Sequence, residues 1–143
     1  MPLDFPDSPA LDEIFDNWMW DGEKWVAIGT TPMLSLSIAA VFPGPPDAGM
    51  RILIPLAYNV SIPANLAGSV GDCVTPPTAA ATFGISTLSG TALGQATIGT
   101  NGGVSFSGSG GVIAVGDALL VQPPLAQDVT LDTVGLTIFA AKI

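Results

Sequence analysis

Few side chains in this sequence belong to the types that usually do chemistry. The chain has no histidine, one cysteine, three basic residues and twelve acids. Without histidine, the usual general base and the histidine-based catalytic triads are missing. A single cysteine supports neither an intrachain disulfide nor the common Cys and His zinc sites. No phosphate-binding or dinucleotide-binding glycine motif is present either.

The acids outside the first 29 residues all fall where the sequence predicts turns. Asp is common in turns because its side chain bonds nearby backbone N–H groups. Spacing alone leaves open a carboxylate pair for glycoside hydrolysis. We nevertheless expect no enzyme, and therefore no catalytic residue, no bound metal and no cofactor. The acids in question are Asp47, Asp72, Asp117, Asp128 and Asp132.

The most distinctive stretch runs from Trp18 to Trp25 and contains all three tryptophans of the chain. Its centre is Asp21-Gly22, a strong hairpin signal because this pair tolerates positive φ. A two-residue loop would place Trp18 opposite Trp25, whereas a four-residue loop would place Trp20 opposite Trp25. In either case Trp18 and Trp20 share one face, because strand side chains alternate.

That face has more aromatic area than an isolated hairpin can bury, and a lone hairpin is marginal in water. The tryptophans must therefore pack on the rest of this chain, on another copy or on a different protein. One interpretation is that the hairpin packs on the domain that follows and adds to its core. The other is a docking element, since tryptophan is enriched among the anchors of protein interfaces.

The charge of the chain is concentrated near its start. Residues 1–29 hold seven acids and one base, a net charge of −6, and residues 30–143 have a net charge of −3. We expect no nucleic-acid partner, since phosphate neutralisation needs Lys and Arg. An anionic membrane surface is disfavoured for the same reason. No secretory signal is expected, because the N-terminus lacks a basic region followed by an apolar one. No membrane helix is expected either, because prolines interrupt the uncharged run Val26 to Pro46.

The segment from Cys73 to Gly116 contains no charged residue. A surface of Gly, Ser, Thr and Ala without charge is weakly protected against self-association. We therefore expect identical neighbours to cover much of it, which predicts a homo-oligomer. The alternative is a monomer with a hydroxyl-rich surface.

Short alternating segments with turn signals between them predict an all-β fold, a β-sandwich or jelly roll, for residues 33–143. An extended acidic arm and the Trp hairpin, residues 1–29, precede it. Residues 61–69 are expected to form a crossing loop with Leu66 as an apolar tooth. The predicted strands are Met33–Val41, Met50–Ala57, Ala80–Thr87, Leu93–Ile98, Val104–Phe106, Ala118–Val121 and Thr130–Ala141, and Val112–Val115 precedes a predicted turn at Gly116-Asp117.

Two stretches near the start contain most of the aromatic residues of this region: Phe5-Pro6-Asp7-Ser8-Pro9 and Trp20-Asp21-Gly22-Glu23-Lys24-Trp25, with Phe15 between them. Together they resemble an N-terminal motif of bacteriophage tail and fibre proteins. Residues 62–69, 115–119 and 128–132 are similar to a small β module of tailed-phage structural proteins. The resemblance implies a virion protein that is made in the bacterial cytoplasm and attaches to the particle near its N-terminus.

The resemblance also implies partners. They would be other virion proteins of the head, collar or tail, and a homo-oligomer, with a trimer favoured. The protein would then be a fibre, spike or capsid-decoration component. Longer fibres continue into a distal receptor-binding or enzymatic domain, which we do not expect here. The residues expected to dock on the partner are Phe5, Pro6, Phe15, Trp18, Trp20 and Trp25.

A different class of function is a host-attachment module of the tail that binds surface glycans. Tyr58, Trp18 and Trp20 could stack on sugar rings. This hypothesis predicts saturable binding of the isolated protein to host polysaccharide.

Overall fold

The computed structural model describes residues 6–15, 18–27 and 34–143. These residues form β-strands and one short 3-10 turn, with no α-helix among them. The predicted all-β class is therefore confirmed. The chain divides into two compact units, Met1–Pro32 and Met33–Ile143. None of the described segments is a helix that could span a lipid bilayer.

The first unit contains a three-stranded antiparallel sheet with its second strand in the centre. Residue Trp20 lies opposite Trp25, so the connecting loop has four residues, Asp21 to Lys24. The four-residue alternative is thus correct and the two-residue alternative is wrong. The sequence did not predict the first strand. The strands are β1 (Ile14–Phe15), β2 (Trp18–Trp20) and β3 (Trp25–Ala27).

The second unit contains ten strands and the 3-10 turn Ala64–Leu66. In chain order the strands are β4 (Ser35–Phe42), β5 (Ile52–Pro55), β6 (Val60–Ile62), β7 (Val70–Thr75), β8 (Ala81–Thr87), β9 (Ala92–Ile98), β10 (Val104–Ser107), β11 (Gly111–Ile113), β12 (Ala118–Gln122) and β13 (Asp132–Lys142).

These strands form two antiparallel sheets. The β8 sheet has the order β10-β9-β8-β12-β5, and the β13 sheet has the order β11-β6-β13-β4 with β7 also paired to β13. Strand β13 is the longest, at 11 residues, and pairs with β4 along one edge. Its other edge is shared by β7 and the end of β6. One long strand therefore organises the second sheet.

The core lies between the two sheets and is made by alternate residues of each strand. On β13, the residues Val134, Leu136, Ile138 and Ala140 are buried, as their spacing predicts. The rings of Phe42 and Phe83, one from each sheet, have centroids 5.2 Å apart. This arrangement confirms the β-sandwich, while a jelly-roll order of strands is not confirmed.

Close backbone packing occurs where the 3-10 turn meets the β9–β10 hairpin. The Asn65 N–H donates to the carbonyl oxygen of Gly108 at 2.7 Å, and the Gly110 N–H donates to that of Leu93 at 2.9 Å. Leu66 is 1% exposed, so the apolar side chain that the sequence predicts to project from this loop is buried. A Cβ added to Gly94 would overlap the Leu66 side chain and the backbone of the β10 end.

The sequence missed two strands, β6 and β7, and for that reason placed Asp72 in a turn, whereas it lies within β7. Asp132 was also expected in a turn, although it falls inside the predicted strand Thr130–Ala141, and it is the first residue of β13. Strand β7 contains Gly71 and Asp72, which lower intrinsic β propensity. Strand β7 forms because it pairs with β13, which is distant in the sequence, with Leu136 opposite Gly71. Tertiary pairing overrode the local signal here.

Candidate docking surface

The turn of the Trp hairpin is fixed by its own side chains. One carboxylate oxygen of Asp21 accepts hydrogen bonds from the backbone N–H groups of Glu23 and Lys24, at 2.9 and 2.8 Å. Both hydrogen bonds lower the pKa of the Asp21 carboxyl below its usual value, and the bond from the Lys24 N–H has the larger effect. Gly22 has φ +96°, which glycine adopts without strain. Local chemistry therefore sets the loop length and with it the register of the tryptophans.

The three tryptophans share one face of the small sheet. Trp20 and Trp25 are cross-strand partners, with ring centroids 5.7 Å apart and planes inclined at 60°. Trp18 lies two residues before Trp20 on β2, so alternation places it on the same face. The opposite face of β2 and β3 carries Met19 and Val26. We call the face of Trp18, Trp20 and Trp25 the Trp face.

Strand β1 widens this sheet on the side of β2. The Trp20 N–H donates to the carbonyl oxygen of Glu13 at 2.9 Å, and the Asp12 N–H donates to that of Trp20 at 2.9 Å. In the same pair of strands, Phe15 of β1 lies opposite Trp18 of β2. The apolar pair at residues 14 and 15 was the only sequence signal that could have revealed this strand.

The structure brings some of the predicted docking residues together. Trp18, Trp20 and Trp25 lie on one face, and the backbone of Phe15 adjoins that of Trp18. Pro6 is half-buried, and Phe5 lies outside the described residues. No side chain is fully buried in residues 6–14 and 18–26. This part of the small sheet therefore has no closed core.

Comparison with known proteins gives no relative. No protein-family model matches the chain. Neither a curated protein nor a solved structure matches it. The resemblance to tailed-phage proteins therefore remains a prediction that rests on the motif residues themselves.

Tyr58, the sugar-stacking candidate of the second unit, has one face of its ring occupied. The Lys142 ammonium lies 4.8 Å from the centroid of the ring. Such a cation–π contact is attractive. A sugar would have to use the other face of the ring or displace Lys142, so this geometry does not favour glycan stacking at Tyr58.

Two carboxylates of the second unit tie loops together. Asp128 accepts from the backbone N–H and hydroxyl groups of Thr78, at 2.6 and 2.7 Å, and from those of Thr130, at 2.9 and 2.6 Å. Asp117 accepts from the Ser89 hydroxyl at 2.6 Å and the Ala118 N–H at 2.8 Å. Both therefore play the turn-stabilising role that the sequence predicts for them.

The same donors perturb both acids. The Thr130 hydroxyl, followed by that of Thr78, holds the pKa of Asp128 far below its usual range. The Ser89 hydroxyl and then the Ala118 N–H lower the pKa of Asp117. These bonds favour the charged forms, because a carboxylate accepts hydrogen bonds better than a carboxylic acid does.

Acid should destabilise the second unit through these two groups. Their pKa values are lower in the folded than in the unfolded protein, so their stabilisation is complete above pH ~4 and is lost as pH falls through the folded values. We expect the unfolding temperature to fall between pH ~4 and pH ~2. Asp128→Asn should flatten this decline, and Thr78→Val should do so in part. Thermal unfolding followed by circular dichroism measures it, and an unchanged decline in Asp128→Asn would contradict the assignment.

Cys73, the single cysteine of the chain, lies in β7 and is half-buried. Partial burial, and then the negative charge of Asp72, raise the pKa of its thiol. A raised pKa keeps the thiol neutral and weakly nucleophilic. In the described part of the chain, no group of three or more acids and cysteines could hold a metal ion.

Proposed function

We propose that this chain is a structural protein of a tailed-phage virion. Its N-terminal segment docks on a head, collar or tail protein, and its β-sandwich associates with further copies of itself. The observation that supports docking is the Trp face, which gathers three half-buried tryptophans on one side of a small sheet. The protein then acts in the virion, after synthesis in the bacterial cytoplasm.

The chemistry of the Trp face matches that of an interface anchor. Aromatic residues supply large apolar area with few rotatable bonds, and tryptophan dominates interface hot spots. Trp18, Trp20 and Trp25 are each half-buried rather than fully buried. The partner site should therefore contain an apolar pocket that accepts indole rings.

The charge around the Trp face suggests what surrounds that pocket. Residues 1–29 have a net charge of −6, and Asp12, Asp21 and Glu23 are exposed. Charge complementarity raises the association rate and helps to select the partner. We infer that the rim of the partner site is basic, which predicts weaker docking at high salt.

The surface of the second unit supports self-association. The segment from Cys73 to Gly116 is uncharged, and apolar side chains such as Val70, Val74 and Val112 are 63%, 71% and 55% exposed. Uncharged surfaces of this kind resist association poorly. Contact between copies would remove such side chains from water.

Deletion of residues 1–28 tests the docking role. Since Met33–Ile143 is a compact unit with its own core, the truncated protein should stay folded. It should be absent from purified phage particles, because the proposed anchor is gone. Circular dichroism and immunoblots of particles measure the two properties. Incorporation of the truncated protein at the normal level would refute the docking role.

A further inference from the structure

Strand β4 forms an open edge of the β13 sheet. Within the described residues it pairs only with β13, in an unbroken register of eight residues from Ser35 to Phe42. The Lys142 N–H donates to the carbonyl oxygen of Leu34 at 2.9 Å, so Leu34 directs its backbone groups towards β13. Along an antiparallel strand, successive residues direct their backbone N–H and C=O groups alternately towards one side and the other. The outward N–H and C=O groups therefore belong to Ser35, Ser37, Ala39 and Val41.

The other sheet edges are protected in ways that β4 is not. Strands β5, β10 and β11 have only four, four and three residues, and β5 ends in Pro55. Strand β7, which among the described strands pairs only with β13, has six residues and contains the charged Asp72. Proteins blunt edges with short strands, proline and charge. Strand β4 is eight residues long and contains neither proline nor charge. Residues 34–46 contain no charge at all.

The core beneath β4 is also incompletely covered. Ala40 and Phe42 are 2% and 1% exposed, but Leu36 and Ile38 on the same face remain only half-buried. Both of these half-buried side chains pack against the core cluster. One more strand alongside β4 would cover them, so the sandwich is open at this edge.

We propose that two copies of the chain pair through their β4 strands into one continuous antiparallel sheet. This contact rests on the proposed self-association and specifies its surface. A two-fold axis at Ile38 places Ser35 opposite Val41 and Ser37 opposite Ala39 of the second copy. The four outward residues of each strand then meet, with about eight backbone hydrogen bonds between the copies.

Charge at the β4 edge does not oppose a second copy as the occupant. The chain has a net charge of −9, so two copies repel wherever their acids approach. Strand β4 brings no acid to the contact. Asp132 lies on β13 two residues beyond Val134, the last residue paired with β4. Asp72 is opposite Gly135, which is itself opposite Val41. Two strand spacings, about 10 Å, therefore separate Asp72 from the edge.

Substitutions at the outward positions test the contact in the full-length protein. Ser37→Pro removes an outward N–H, and Ala39→Lys places charge on the edge, while both positions are exposed in the single chain. Val115→Lys is the matched control, since Val115 is 59% exposed and follows β11, not β4. Light scattering should give two copies for the parent and the control. The two β4 variants should give half that mass with circular dichroism unchanged.

Amide hydrogen exchange provides a second measurement that does not depend on substitution. The amides of Ser35, Ser37, Ala39 and Val41 should exchange more slowly as protein concentration rises. A single-copy mass with these amides protected at every concentration would show that the chain covers its own edge and would overturn the proposal. A three-copy mass that persists in Ala39→Lys would overturn it as well, because a two-fold contact cannot close a trimer.

The result is separable from the docking role. If the β4 variants lose half their mass while deletion of residues 1–28 has no effect on particles, the edge contact stands and docking fails. If the β4 variants keep the mass of the parent while deletion of residues 1–28 removes the protein from particles, docking stands and the edge contact fails.

Discussion

Gly94→Ala is expected to destabilise the second unit by about 3 kcal/mol, a large part of the stability of a domain this size. The added methyl group would overlap the Leu66 Cδ1 and the carbonyl oxygen of Ser107, and would crowd the Cα of Gly108. The leucine could change rotamer, but Ser107 is the last residue of the paired strand β10, and the carbonyl oxygen of Gly108 accepts from the Asn65 N–H. The backbone of these two residues therefore cannot move freely. Denaturant unfolding followed by circular dichroism measures the loss.

Gly135→Ala is the matched control for that experiment. Gly135 lies within β13, and an added Cβ there would meet nothing within 4 Å. We expect a change in unfolding free energy within about 0.5 kcal/mol. Equal losses in the two variants would show that close packing at Gly94 is not the cause. The same substitution thus separates backbone crowding from the general effect of removing glycine from a strand.

Trp20→Ala is expected to weaken docking by about 2 kcal/mol or more, roughly a 30-fold loss of affinity. The substitution removes one indole from the Trp face, together with its contact to the Trp25 ring, whose centroid is 5.7 Å away. Two proteins with different tags, parent and variant, can be expressed together during one infection. The ratio in purified particles, divided by the ratio in the lysate, then measures relative docking and does not require the partner to be identified.

Val26→Ala is the control on the opposite face of the same sheet. Val26 is a cross-strand partner of Met19 and is half-buried like the tryptophans. If the Trp face is the contact surface, this variant should compete with the parent almost equally. A Trp20→Ala protein that folds and enters particles as well as the parent would exclude the Trp face as the anchor.

The sequence predicted those strands whose side chains alternate over a long stretch. Leu36, Ile38 and Ala40 on β4, and Leu136 and Ile138 on β13, have a period of two, and the structure places each set on the inner face. The sequence could not reveal β6, because a strand of three residues is too short to show alternation. That strand exists through pairing with β11 and the end of β13, which are distant in sequence.

The candidate docking surface was predictable to a similar degree. Alternation alone placed Trp18 and Trp20 on one face. The position of Trp25 depended on the loop, and two lengths were compatible with Asp21-Gly22. The hydrogen bonds from the Glu23 and Lys24 N–H groups to Asp21 select the longer loop. Those bonds depend on three-dimensional geometry that the residue types permit but do not specify.

By itself, the sequence determined the all-β class, the uncharged segment from Cys73 to Gly116 and the grouping of the tryptophans. These properties follow from composition and short-range alternation, which act through neighbouring residues. Only the tertiary structure decided that β13 organises its sheet, that β4 is left at an open edge and that Gly94 meets Leu66. Each of these depends on segments far apart in the chain, and their pairing is set by the packing of the whole sandwich rather than by any local preference.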